Sequence, residues 1–158
     1  MDTYYKLPLQ IEKIFSERTS HFGTCTEMES IDQNLELIFT TYPGEHKFDR
    51  NFGCRIWLLD FDRLVSLKTW EEAFYGYLSE AIAKYEPRLS QVEISTDIAD
   101  VNFHNMPFGT ISVKKRVIVS VTAVVSRSQE RCRFKYKLLL GPITNESVSY
   151  THLRAHET

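Results

Sequence analysis

Residues 69–98, TWEEAFYGYLSEAIAKYEPRLSQVEISTDI, contain the change of hydrophobic period that decides the fold. In the first half, Trp70, Phe74, Tyr77, Leu78, Ala81, Ile82 and Tyr85 recur at steps of three and four, which lines one face of an α-helix. Thr69 followed by Glu72 has the form of a capping box and sets the expected start. Pro87 sets the end near Tyr85, because proline lacks an amide hydrogen and drives Glu86 out of the helical region. Beyond Leu89 the period becomes two: Val92, Ile94, Thr96 and Ile98 share one face of a strand. The phase then slips at Ala99-Asp100 to Val101 and Phe103, which predicts a β-bulge.

Toward the C-terminus the two-residue period persists. Ile111 to Val125 sets Val113, Val117, Val119, Val121, Ala123 and Val125 against Ser112, Lys114, Arg116, Ser120 and Thr122, with Lys115 as the misfit. Ser126 to Glu130 reads as a polar hairpin turn into Cys132 to Leu140, where Phe134, Tyr136, Leu138 and Leu140 alternate with Arg133, Lys135 and Lys137. Gly141-Pro142 is a natural stop. The ending SVSYTHLRAHET, residues 147–158, fits neither period and reads as a tail foreign to the native product.

Upstream, Ser30 with Gln33 forms another capping box, and Ile31, Leu35, Ile38 and Tyr42 follow at helical spacing until Pro43-Gly44 stops the helix. Glu45 to Phe52 reads as a loop pinned by buried Phe48 and Phe52, running into Gly53. In CRIWLLDFD, residues 54–62, periodicity does not separate a strand from an irregular packed segment. Residues 1–29 show no sustained period and read as an arm with one short helical turn around Leu9 to Phe15. Helices first and a meander afterwards predict an α+β fold: two main helices packed on one face of a mostly antiparallel sheet of three to four strands. The expected division is an arm at 1–29, one domain at 30–142 and a tail at 143–158.

Composition narrows the functions open to such a domain. The chain has 158 residues, 42% of them hydrophobic, enough for one buried core. A net charge of -2 offers no global field for nucleic acid or anionic membrane. No segment has the continuous apolar length of a signal peptide or a membrane span, so a cytoplasmic protein is expected. Cys25, Cys54 and Cys132 are far apart and odd in number, which suggests neither a disulfide framework nor a zinc site. His152 and His156 are the sole histidines at helical i, i+4 spacing and lack an HExxH setting, so no metal or cofactor is expected.

The sharpest local feature is Tyr85-Glu86-Pro87-Arg88. A rigid proline between opposite charges can present both as preorganised groups, and an arginine fork can grip a carboxylate with two bonds. A local salt bridge in a polar turn accounts for the same residues. Gly44 and Gly53, nine residues apart, lack the spacing of a phosphate-binding loop, and no GxSxG surrounds a nucleophile. Glu45 and Glu86 are the nominal acid pair for glycoside hydrolysis, but Arg88 beside Glu86 works against a general acid there. Arg131, Arg133, Lys135 and Lys137 give the last strand the charge of a protected edge that can still accept a guest strand; a plain solvated face is the alternative.

Taken together, IDQNLELIFTTYPGEHKFDRNFG at 31–53, a capped aromatic helix and YEPRL at 85–89 leading into period-two strands resemble the GPW-type phage baseplate wedge family, long labelled lysozyme-like, whose bacterial member is TssE of the type VI secretion system. The resemblance covers about residues 30–140. It rests most on Glu86-Pro87-Arg88, with Gly44, Phe52 and Gly53 in support, while Cys54 and IWLLDFD look like a subfamily variant. It implies a non-enzymatic baseplate component of a contractile injection machine, cytoplasmic and assembling at the inner membrane. Its partners would be wedge proteins, TssF- and TssG-like, and sheath subunits, TssB- and TssC-like. Glu86 and Arg88 would fasten the domain to the wedge while the sheet accepts strands and starts sheath polymerisation. A muramidase is the alternative that the inherited label implies.

Overall fold

A computed structural model describes residues 2–15, 22–59, 66–105, 109–140 and 151–152. Helix α1 spans Glu27–Thr40 and helix α2 Leu67–Tyr85. The main sheet is antiparallel, in the order β3 (Leu89–Asn105), β4 (Thr110–Val125), β5 (Arg131–Leu140), β6 (Thr151–His152). A separate ladder pairs β1, Tyr4–Tyr5, with β2, Thr24–Cys25. The fold is the expected α+β arrangement, with α1 against β5 and α2 against β3.

Both helices begin earlier than their sequence signals indicate. At α1 the reciprocal capping box belongs to Thr26 and Glu29: the Glu29 amide donates to Thr26 Oγ1 at 3.2 Å and the Thr26 amide to Glu29 Oε2 at 2.9 Å. Thr26-x-x-Glu29 and Ser30-x-x-Gln33 stand in tandem. The upstream box prevails because it also puts Glu27 and Glu29 in the first turn, where the helix dipole favours negative charge. At α2 the cap is Ser66, whose hydroxyl accepts from the Thr69 amide at 3.2 Å, so Thr69 lies inside the helix. The α1 stripe also ends sooner: the helix stops at Thr40, and Tyr42 lies beyond it, exposed. The end of α2 at Tyr85 is as Pro87 requires.

The core lies between the helices and one face of the sheet. Ile31, Leu35, Ile38 and Phe39 from α1 and Trp70, Phe74, Leu78, Ala81 and Ile82 from α2 meet Val117, Val119, Val121, Phe134, Tyr136 and Leu138. The Tyr136 hydroxyl donates to Asp32 Oδ1 at 2.8 Å, and its ring meets Phe39 edge-on at 5.2 Å, which fixes α1 over β5. Burial, and then the neighbouring Asp32, hold the Tyr136 phenol far above its ordinary pKa. Arg55–Leu58 is a 3-10 turn, with Ile56 buried and the Trp57 indole donating to Phe39 O at 2.8 Å. Residues 60–62 of that stretch fall outside the described chain.

The bulge is not at Ala99-Asp100, where Ala99 faces Arg116 and Asp100 faces Lys115 in unbroken register. It lies between Ser90 and Glu93, with Gln91 at φ 50°. The apolar phase changes past Ile98 because the sheet there runs out from under the helices. Val117 is fully buried, whereas Val113 and Ile111 on the same face are 54% and 62% exposed. Lys115 sits at that border, its Nζ 2.8 Å from Asp100 Oδ1 on the neighbouring strand, which accounts for a charge on the core face.

The arm carries more structure than its composition indicates. The β1–β2 ladder joins its two ends, and a 3-10 turn occupies Ile11–Ile14, inside the expected stretch. In the tail, Thr151–His152 pairs with Tyr136 and Lys137 on the outer edge of β5, a short strand the sequence pattern does not show.

Candidate partner-docking corner

Helix α2, helix α1 and the start of β3 meet at Glu86-Pro87-Arg88. The Glu86 amide still donates to Ile82 O at 2.9 Å, so the residue is the last to be tied to α2. The Arg88 carbonyl already accepts from the Ser126 amide at 2.8 Å, which ties the corner to the β4–β5 turn. Between these anchors the Glu86 side chain turns inward and is 1% exposed.

Four donors meet that carboxylate. Arg88 Nε donates to Oε1 and Arg88 Nη2 to Oε2, each at 2.7 Å. Asn34 Nδ2 donates to Oε2 at 2.7 Å and the Arg88 amide to Oε1 at 3.3 Å. A sealed carboxylate is tolerated only with such compensation, since stripping its water costs several kcal/mol. Asn34 also donates to Tyr85 O at 3.0 Å, capping a carbonyl that the helix end leaves open. Arg88 Nη1 donates to Ser30 Oγ at 3.0 Å. The Glu86 hydrogen bond keeps the guanidinium firmly protonated, against the opposing pull of burial.

The arginine fork therefore grips the chain's own glutamate. Glu86 is a positioning group inside the fold, and Arg88, with its side chain 27% exposed, is the member that reaches the surface. Ser30 and Asn34 complete the arrangement from α1 and were not among the residues expected at this corner. Their signal was present: two polar side chains at i, i+4 beside an apolar stripe, one of them an asparagine in a helix interior that does not favour it.

Gly44, Phe52 and Gly53 lie on the other flank of α2's last turn. Gly44 takes φ +95° in the turn after α1, where Glu45 donates to Tyr42 O at 3.0 Å. Gly53 takes φ +121°, and a Cβ there would lie 2.4 Å from Thr41 O, the acceptor of the Cys54 amide. Phe52 packs edge-on against Tyr85 at 4.8 Å, which links this loop to the corner. Phe48 does not pin the loop: it is 93% exposed, because His46 and Asp49 fold the loop locally and leave the ring outside. A groove of about 380 Å³ opens beside Tyr85, lined by Gly53, Arg55, Tyr77, Glu80 and Lys84; Glu80 is its one acidic lining residue among those described.

The nominal acid pair is spoken for. Glu86 is sealed and ion-paired, and Glu45 Oε2 accepts from the Tyr42 amide at 3.0 Å. On the sheet, Arg131, Arg133, Lys135 and Lys137 all lie on the face away from the helices, and the outer edge of β5 is paired at Tyr136 and Lys137 alone among the described residues. The outer edge of β3 pairs with no described strand. No three His, Cys, Asp or Glu side chains converge as metal ligands among the described residues, and no described helix is long and apolar enough to cross a membrane.

The crystal structure of a protein described as a tail lysozyme from Geobacter sulfurreducens shares this fold. It aligns with a TM-score of 0.55 at 19% identity over 76% of this chain and 96% of that one. No curated protein sequence matches. The family model for baseplate wedge protein gp25 matches residues 26–130, from the cap of α1 to the end of the β4–β5 turn. That span holds both helices, the corner and the β3–β4 hairpin, and on it the chain belongs to the baseplate wedge protein gp25 family.

Proposed function

We propose that the domain is a non-enzymatic baseplate component of a contractile injection machine, a TssE-like part of a type VI secretion system. In this reading it works in the cytoplasm, in a baseplate assembling at the inner membrane. It joins wedge proteins, TssF- and TssG-like, through the Arg88 corner. It starts the sheath of TssB- and TssC-like subunits by accepting their strands at the edges of the sheet.

One observation carries the reading: a buried carboxylate, 1% exposed, is spent on orienting a single arginine at the surface. Replacing a buried ion pair by apolar side chains often stabilises a fold, so the pair is better explained by what Arg88 does outside than by stability. The strand-addition part is supported by a β3 outer edge that pairs with no described strand and by the basic outer face of β5. Copurification with wedge and sheath subunits tests it. Glu86→Leu with Arg88→Met, which removes both charges without stranding either, should reduce wedge recovery with the fold intact, and unchanged recovery and secretion would contradict the proposal. Purified protein that clears peptidoglycan, and stops when Glu45 or Glu86 is replaced, would establish the muramidase instead.

A further inference from the structure

The bonds that Arg88 already makes limit what a partner could hold there. Arg88 spends Nε and Nη2 on Glu86 and one Nη1 hydrogen on Ser30. A second carboxylate on the Nε–Nη2 edge would have to displace Glu86 and leave a sealed anion without its cation, so polar contact is limited to the two N–H that these three bonds do not use, one on each Nη. The flat face of the guanidinium is a different matter, because stacking on it breaks none of these bonds. Arg88 already has an aromatic neighbour of this kind: its Cζ lies over the Tyr4 ring, 5.5 Å from the centroid.

Tyr4 comes from the arm, which is held by contacts of the kind that give way easily. The Tyr4 hydroxyl donates to Glu27 Oε1 at 3.1 Å, the Leu7 amide to Gln33 Oε1 at 2.9 Å and the Lys6 amide to Gly23 O at 2.9 Å. Asp2 pairs with Arg127 at the β4–β5 turn, raising the Arg127 pKa with help from the Tyr4 phenol, but this pair is exposed. The β1–β2 ladder is two residues long on each side, too short to be stable alone. Among the described residues before α1, Tyr5, Leu7, Leu9, Ile11 and Phe15 are all 45% exposed or more, so they contribute little core packing to hold the arm.

We propose that the N-terminal arm is a removable strap, in which the Tyr4 ring holds the place beside the Arg88 cation that an aromatic side chain of the wedge partner takes when the domain docks. The proposal rests on the corner being the wedge site. Both rings seek the same cation, so the free protein is held closed until a partner displaces its own tyrosine. The apparent affinity is then lowered by the fraction of molecules whose arm is open.

Calorimetric titration of the 158-residue chain with the purified wedge complex of its own system tests this. Tyr4→Ala should tighten binding, by about threefold to tenfold for an arm open a tenth to a third of the time. Asp2→Ala, which loosens the arm away from the corner, should shift binding the same way by less. Arg88→Lys keeps a cation for Glu86 but removes the flat face, and should weaken binding at least tenfold whether or not Tyr4 is present. Hydrogen exchange at the Lys6 and Leu7 amides should speed up in the complex. Tyr4→Ala that weakens binding or leaves it unchanged, or slower exchange at those amides, overturns the strap while the corner stands if Arg88→Lys still binds poorly. Wild-type affinity in folded Arg88→Lys overturns the corner and the strap together. Should Arg88→Lys fail to fold, the Tyr4→Ala affinity and the exchange rates decide alone.

Discussion

Glu86 and Arg88, on either side of Pro87, close a two-pronged ion pair with both contacts at 2.7 Å, in which the acid is 1% exposed and the base side chain 27%. The geometry is one-sided: the acid faces inward to Asn34 and the base faces outward. A pair built this way makes a surface group rigid at the cost of desolvating its partner.

The first prediction concerns what that costs. Arg88→Ala leaves a sealed carboxylate with Asn34 and one amide, and should lower the unfolding free energy by about 3–5 kcal/mol in urea titration. Replacing both residues by apolar ones, Glu86→Leu with Arg88→Met, should recover most of that loss. If the double variant is no more stable than Arg88→Ala, the burial penalty is not what the pair is overcoming.

A second prediction separates the two loop glycines. Gly53→Ala meets Thr41 O at 2.4 Å and an unfavourable φ together, and should destabilise by at least about 2 kcal/mol. Gly44→Ala, with open space around it, carries the φ cost alone, about 1 kcal/mol. Equal melting temperatures for the two variants would contradict this.

Much of this fold was readable in the chain, and the misreadings have physical causes. The α2 stripe and the β4 alternation each repeat one period over many buried positions, so no local competitor could mask them. The caps were misplaced because Thr26, Ser30, Ser66 and Thr69 all present plausible hydroxyls, and the choice depends on where the core begins. The false bulge at Ala99-Asp100 arose from reading a change of face as a change of register; the sheet outruns its helices there, which no window of residues reports. At the corner, Glu86, Pro87 and Arg88 were legible as a group. Their sense was not, since Asn34 lies 52 residues away and Tyr4 sits in an arm with no period at all.

The cysteines make a third prediction. Burial pushes the Cys54 thiol up to about 12 and the Cys132 thiol up to about 11, against an ordinary 9.0. Both stay protonated and poorly nucleophilic in the folded protein, while Cys25 in the arm is half-buried. Alkylation under native conditions at pH 8 should modify Cys25 and leave the other two. The sign for stability follows: with folded values above the unfolded one, their contribution is full below about pH 9 and is lost as pH rises through 11 to 12. Urea titrations at pH 8 and pH 10.5 should show the fall, and rising stability over that range would refute it.

The outer face of β5 gives a fourth. Arg133→Glu with Lys135→Glu alters side chains that point away from the core, so stability should stay within about 0.5 kcal/mol per site. Capture of sheath subunits should drop severalfold while wedge binding holds. Sheath capture that survives the reversal would remove β5 from the strand-accepting role.

The most direct test of the whole account uses the apolar double variant Glu86→Leu, Arg88→Met, whose fold should persist without its charges. Wedge subunits recovered with tagged protein from cells should fall at least tenfold relative to the native chain, with the melting temperature nearly unchanged. Full wedge recovery by that folded variant would show that the oriented arginine is not what grips the baseplate.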